Sequence, residues 1–280
     1  RWDGSSWRPL GGGTSGTVSA LAVHDGLLIA GGSFGEGIPA CRVAAWDGAE
    51  WSRLGGGLSG DVFSLAVYDG DIVAGGTFRE AGGATVDRVA RWDGAEWQPL
   101  GSGIPDEGYA CVFALEEYGG ELIAGGAFTR AGGADAYCIA AWDGFSWRSF
   151  GAEPNSAVFD LARYGGSLVA GGAFTEVGGA PADFVAQWDG ASWTPLGDGV
   201  DSWVYALTEY GGDLIAGGLF DSAGGGAVSG VARWDGASWS AIGDGTDGSV
   251  HALAARDSLL VAGGSFLQAG GAGASRIAMW

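Results

Sequence analysis

The sequence predicts an all-β fold: a six-bladed β-propeller of four-stranded antiparallel blades, closed by an N-terminal outer strand, in one domain spanning residues 1–280. Three observations predict it. A leading Trp recurs at Trp2, Trp46, Trp92, Trp142, Trp188, Trp234 and Trp280, at intervals of 44, 46, 50, 46, 46 and 46 residues. A second Trp follows five residues after each of the first six (Trp7, Trp51, Trp97, Trp147, Trp193, Trp239), so the two columns hold 13 of the 14 Trp and leave Trp203 outside them. Within each period, β-forming segments alternate with Gly pairs, which interrupt any window long enough for a helix.

One period, residues 61–101, shows how the elements are read. "VFSLAVY" is rich in β-formers and ends in Asp69-Gly70; the same place holds Gly119-Gly120, Gly165-Gly166 and Gly211-Gly212. Such pairs adopt the positive φ that a two-residue hairpin turn requires. "DIVAGG" is a short continuous apolar run, as expected of a strand buried on both faces. "DRVARW" is the third strand, and Asp93-Gly94 is the next turn. "EWQPL" is the fourth, and its Pro99 suits an outer strand because Pro has no N–H to give an inner ladder. Each unit is thus a four-stranded meander. A lone sheet of this kind cannot hide both faces, whereas sheets repeated side by side cover one another. The Trp columns carry much of that packing, at roughly 4–6 kcal/mol for each buried ring as an upper bound.

The last repeat, from about residue 248, carries strands one to three and stops at Trp280, while "RWDGSSWRPL" at residues 1–10 supplies a third-strand end, a turn and a fourth strand. The expectation is therefore that residues 1–10 complete the last blade. The blades then fall at 17–54, 61–100, 109–150, 156–196, 202–242 and 248–280 plus 1–10. A fragment of a longer array and strand exchange between chains are the competing arrangements; a monomer is the expected state.

Composition excludes several functions. Net charge is −20, and all 13 basic residues are Arg. A nucleic-acid partner needs a basic face to neutralise phosphates, so it is excluded, as is an anionic membrane surface. No apolar run approaches the ~18 residues of a spanning helix, so no membrane insertion is expected. With 58 Gly but 47% hydrophobic residues the chain is not a disordered linker. Arg1 falls in mid-repeat, so the chain reads as a mature or trimmed piece. An acidic surface fits an extracellular or salt-tolerant protein. The three Cys (Cys41, Cys111, Cys138) follow no metal spacing; Cys111 and Cys138 share a repeat, where a bridge and separate thiols are both open.

"AGG" after strand two, an aromatic ending strand three and a Trp soon after in strand four resemble the kelch repeat. The resemblance covers all six units. It departs from kelch in having Trp at positions such as Trp92, where Tyr is usual, and in a shorter spacing to the second aromatic. The pattern "GGxFxxAGG…VAxWDGxxW" looks closer to a kelch-like repeat of exported bacterial proteins. That resemblance implies a propeller at an extracellular or cell-surface location. It implies no activity, since propellers host enzymes, lectins and scaffolds alike.

The residues offer few catalytic parts. His24 and His251 are the only histidines, and there is no Lys, so acid–base and nucleophile assemblies are poorly supplied. No phosphate-binding loop is present. The Asp of each "WDG" is read as a turn residue. Asp198 and Asp201 in "LGDGVDS", and Asp244 and Asp247 in "IGDGTDGS", are the candidate metal ligands, with Ca²⁺ as the one cofactor considered. His251 shares a column with Ser19, Phe63, Phe113, Phe159 and Tyr205, and is read as a packed or channel-edge residue. Repeats differ most in the loops leading into strand one and strand three, including Asp106, Glu107, Tyr109, Asn155, Asp201 and Trp203. These loops are expected at one common end. The candidate binding residues are Trp203, Tyr205, Tyr109, Asp201 and His251. The reading is a non-catalytic extracellular binding or scaffolding module, not an enzyme, that presents these loops to a protein or glycan. A carbohydrate-binding lectin that stacks sugars on Trp203, Tyr109 and Tyr205 is the first alternative. A secreted enzyme with a carboxylate or calcium-assisted site is the second.

Overall fold

The computed structural model describes residues 1–280 except Gly4, 36–41, Asp106 and Glu107; Cys41, Asp106 and Glu107 of the sequence reading lie outside the described residues. The architecture is all-β, a β-propeller fold of six blade sheets with no helix among the described residues. The second blade is typical: Val62–Tyr68, Asp71–Gly76, Val89–Trp92 and Trp97–Pro99 pair antiparallel in chain order. The turn joining its first two strands has Asp69 at φ 50° and Gly70 at φ 82°, the left-handed pair that a tight hairpin demands. Pro99 sits on the outermost strand, opposite Ala90. The first, third, fourth and fifth sheets repeat this order.

The sixth sheet holds three strands, Val250–Arg256, Leu259–Gly264 and Ile277–Met279. Near the other terminus Trp7 is bridged to Trp2, and Arg8 N–H donates to the Arg1 carbonyl at 2.8 Å. Trp7 thus has Trp2 as its rung partner, as Trp51 has Trp46 in the first sheet.

Beyond the four-strand pattern, each of the last five repeats carries a two-stranded ribbon, such as Glu80–Ala81 with Ala84–Thr85. Its turn is Gly82-Gly83, at φ 58° and 90°. The loop leading into strand one is bridged to this ribbon at Leu58–Ala81, Pro154–Val177, Val200–Ala223 and Thr246–Ala269. The two variable loops of a repeat therefore do lie at one end of its sheet.

The chain groups into two compact units. One comprises Arg1–Ala124, Phe128–Asp135 and Ala141–Arg148, and the other Gly125–Ala127, Ala136–Ala140 and Ser149–Trp280. The first contains the first two sheets, the second the last three, and the third sheet contributes to both.

Inside each unit the "GG" of strand two is where sheets meet. A Cβ on Gly75 would lie 2.6 Å from Val112 Cγ1, and one on Gly171 would lie 2.6 Å from Val204 Cγ1. Only hydrogen fits there, so these glycines serve close packing rather than an unusual φ. The Phe that follows is sealed: Phe78 and Phe174 are fully buried. Each Trp pair stacks at a tilt with ring centroids 5.4–5.6 Å apart. The fourth-strand indole then donates to a carbonyl of the preceding repeat: Trp97 to Leu54 at 3.1 Å in the first unit, Trp239 to Leu196 at 2.7 Å in the second.

Cys111 is buried and Cys138 half-buried, each as a thiol, so the bridge left open by the sequence is not formed. Among the described residues no helix is long and apolar enough to cross a membrane.

Candidate functional site: an aromatic strip on the bulged strands

The first strand of a blade slips register near its start. Val158 faces Gly172 and Asp160 faces Gly171, so Phe159 is the extra residue of a bulge. The same slip occurs at Tyr205, between Val204 and Ala206, and at His251, between Val250 and Ala252. A bulge bends the strand and re-aims the extra side chain. Ser19 and Phe63 are the corresponding residues of the first two sheets.

In the second unit the re-aimed rings form a strip. Phe159 and Tyr205 have ring centroids 5.6 Å apart, and Tyr205 and His251 lie 5.0 Å apart. Trp203 stands edge-on to both Phe159 (6.0 Å) and Tyr205 (6.2 Å). These distances suit favourable aromatic contacts. Trp203 keeps 44% of its surface exposed. His251 Nε2 is 2.9 Å from Ser265 Oγ, which orients the imidazole. Burial raises the Tyr205 phenol above its usual range, so it stays a neutral hydroxyl. The first unit has a shorter counterpart, Phe63 and Phe113 at 5.4 Å.

Beside the strip lies a cleft of about 260 Å³, lined by Leu219, Asp221, Ser229, Thr246, Asp247 and Ser249 among others. Its wall is tied to the strip, because the Leu219 N–H donates to the Trp203 carbonyl at 2.9 Å. Hydroxyl and carboxylate side chains thus line a cleft joined to the strip through the Trp203 backbone.

Three of the five expected binding residues, Trp203, Tyr205 and His251, come together here. Asp201 does other work: its Oδ1 accepts the N–H groups of Asp221 (2.9 Å) and Ser222 (3.1 Å), fixing the start of the ribbon. Asn155 makes the same contacts with Thr175 and Glu176. Tyr109 is fully exposed and belongs to the first unit. Its loop is organised by a residue that the sequence reading missed. Arg88 is only 2% exposed, and its guanidinium donates to the carbonyls of Ala110 and Ile104, each at 2.7 Å. Nothing in the local sequence marks Arg88 as buried. Its one signal is the single 50-residue interval that follows, whose lengthened loop supplies the Ala110 carbonyl.

The metal expectation meets a different arrangement. Among the described residues no group of three or more His, Cys, Asp or Glu is placed to hold a metal ion. Asp247 repeats the Asp201 cap, accepting from Leu267 and Gln268 at 2.7 Å each. The Gln268 and Leu267 N–H groups hold its carboxyl below the usual range. Asp198 and Asp244 lie exposed in the preceding turns. The "WDG" carboxylates are turn acceptors as expected, with Asp93 Oδ1 taking the N–H groups of Ala95 and Glu96 at 2.9 Å each.

No family model and no curated protein matches the chain. Solved structures do. The computationally designed Ika8 protein is 19% identical, with 88% of this chain and 67% of that one covered and a TM-score of 0.54. That likeness shows the fold alone. The designed Ika4 protein matches at 20% identity over 65% of this chain and 97% of that one, with a TM-score of 0.41. The extracellular domain of a hybrid two-component system of B. thetaiotaomicron matches at 11% identity over 88% of this chain and 38% of that one, with a TM-score of 0.44.

Proposed function

We propose that the chain is a non-catalytic extracellular binding or scaffolding module whose contact surface is the strip Phe159–Tyr205–His251 with Trp203 above it. One observation carries the reading: successive bulges aim three rings the same way, while Trp203 keeps nearly half its surface open beside them. Large rings on sheet strands give contact area at little entropic cost, which favours recognition. Alanine substitution at Trp203 and at Tyr205 tests it. A pull-down from the extracellular fluid of the source, followed by calorimetry with the captured partner, is expected to show binding weakened about tenfold or more by Trp203→Ala. Binding unchanged in both variants overturns the choice of surface.

A carbohydrate ligand is favoured within that reading by the cleft whose wall is tied to the Trp203 backbone, where Ser229 and Ser249 offer hydroxyls and Asp221 and Asp247 offer acceptors. Sugars pair an apolar ring face with hydroxyls that such groups bond. A soluble oligosaccharide array is expected to give hits that Trp203→Ala and Ser249→Ala both lose. An array without hits overturns the carbohydrate reading and leaves a protein partner as the ligand.

A further inference from the structure

We propose that a second cleft, between the fourth and fifth sheets, binds a guanidinium group. It lies at the end of strand one, away from the bulge at that strand's start. Its volume is about 390 Å³, and it is lined by Tyr164, Gln187, Glu209, Gly212 and Trp234 among others, all in the second unit. The place is a recurring corner, where the Tyr that ends strand one of one sheet meets the strand-one turn of the next. In the first unit that corner is closed. The Tyr68 hydroxyl donates to the Gly120 carbonyl at 3.3 Å, and the Gly120 N–H donates to Glu117 Oε1 at 3.0 Å. One sheet beyond the cleft the Tyr is engaged again, with the Tyr210 hydroxyl donating to the Ser258 carbonyl at 3.0 Å.

At the cleft the same positions hold Tyr164, Gly212 and Glu209. Neither the Tyr164 hydroxyl nor the exposed Glu209 carboxylate has a hydrogen bond or ion pair among the described residues. The cation beside the corner has changed too. The second sheet has the ion pair Arg91–Asp71 at 2.9 Å, whereas the fourth has Gln187 and Ser167, with the Gln187 amide donating to Ser167 Oγ at 3.0 Å. Arg233, in the same column of the fifth sheet, is held by Asp213 at 3.3 Å. Burial, then the charges of Asp213, Asp235 and Glu209, raise the Tyr164 phenol above its usual range, so it stays a neutral hydroxyl in a negative field. The cleft thus offers a carboxylate, a hydroxyl and an amide oxygen beside aromatic side chains, and the Arg of its sister repeats is missing from it. A guanidinium fits that set: it is planar, carries five N–H donors, pairs two of them with one carboxylate and stacks on rings. Its source is a free guanidine compound or an arginine side chain of a partner protein.

Calorimetry with two probes tests the proposal, methylguanidine for the free compound and Nα-acetylarginine amide for the partner's side chain. Saturable binding of at least one is expected, and the tighter of the two identifies the source. Nα-acetylcitrulline amide, of nearly the same shape without the charge, is expected not to bind. Glu209→Gln is expected to weaken binding about fivefold or more. Glu50→Gln removes the same charge from an exposed turn and is expected to change nothing. Gln187→Arg restores the residue that Arg91 and Arg233 show the column accepts; binding is expected to be lost while circular dichroism shows the fold intact. Failure of both arginine-like probes to bind wild type, binding of the citrulline compound as tight as theirs, or a loss in Glu209→Gln no larger than in Glu50→Gln overturns the proposal.

Discussion

Asp160 links two blades through a single carboxylate: Oδ2 accepts the Leu207 N–H at 2.7 Å, and Oδ1 accepts the N–H of its own neighbour Leu161 at 2.9 Å. The bulges that put Phe159 and Tyr205 into the strip shift the ladder, and the N–H of the following Leu needs an acceptor. Ser64 answers the same need in the first unit, accepting from Leu115 at 3.0 Å.

Asp160→Ala is expected to destabilise the protein by about 1–3 kcal/mol, since it leaves two half-buried donors without their acceptor. Asp160→Asn keeps one carbonyl oxygen and is expected to lose less. Urea denaturation of the two variants checks the order. Equal losses would mean that the carboxylate acts by charge rather than by acceptor count.

The strand-two glycines differ by position. Gly75→Ala drives a methyl into Val112 and is expected to cost about 1–3 kcal/mol. Gly263→Ala meets no such contact, and its φ is ordinary, so it is expected to be neutral or to stabilise by up to about 1 kcal/mol through the unfolded state. Thermal melts of the two variants separate them.

The indoles allow a paired comparison. Trp239 Nε1 donates to Leu196, whereas Trp193 Nε1 is buried with no protein partner, in the repeat where Phe150 replaces that Leu and packs on Trp193 with centroids 5.8 Å apart. Trp239→Phe loses a made bond and strands a carbonyl. Trp193→Phe removes a donor that has no bond to lose. Trp239→Phe is expected to be the more destabilising by about 1 kcal/mol. The reverse order in chemical denaturation would show that packing, not the bond, sets the cost.

Acid should weaken the turns. Asp47, Asp93, Asp143, Asp189 and Asp235 each have a carboxyl held below the usual range, first by the N–H three residues on and then by the N–H two residues on. A folded pKa below the unfolded one stabilises the fold above the unfolded value, near pH 4, and that stability is lost as pH falls further and the folded carboxyls protonate. Relief of the −20 net charge acts the other way over the same range. The comparison is therefore with an Asp93→Asn, Asp143→Asn variant, whose melting temperature is expected to fall less between about pH 5 and pH 2.5. Identical profiles would mean that these turns do not titrate on unfolding.

Much of the fold was legible because each feature is local. Asp69-Gly70 needs only its own backbone to be a turn, and the run "DIVAGG" needs only its composition to be a buried strand. The ribbons were legible too, in Gly82-Gly83 between two small residues, but "AGG" was read as a motif rather than as a hairpin. The candidate site was half legible. The column Phe159, Tyr205, His251 could be aligned from the repeat, yet its side chains are aimed by bulges, and a one-residue slip leaves no mark in the pattern. Asp201 and Asp247 were read as ligands because their role as ribbon caps depends on N–H groups about 20 residues away.

Periodicity alone determined the number of repeats, the strands in them and the turns between them, because hydrogen-bonding reach and φ preference act over a few residues. Tertiary packing alone decided which glycine receives which valine and which rings share a strip. Those depend on how one sheet lies against the next, and every repeat carries nearly the same letters whether its neighbour is present or not.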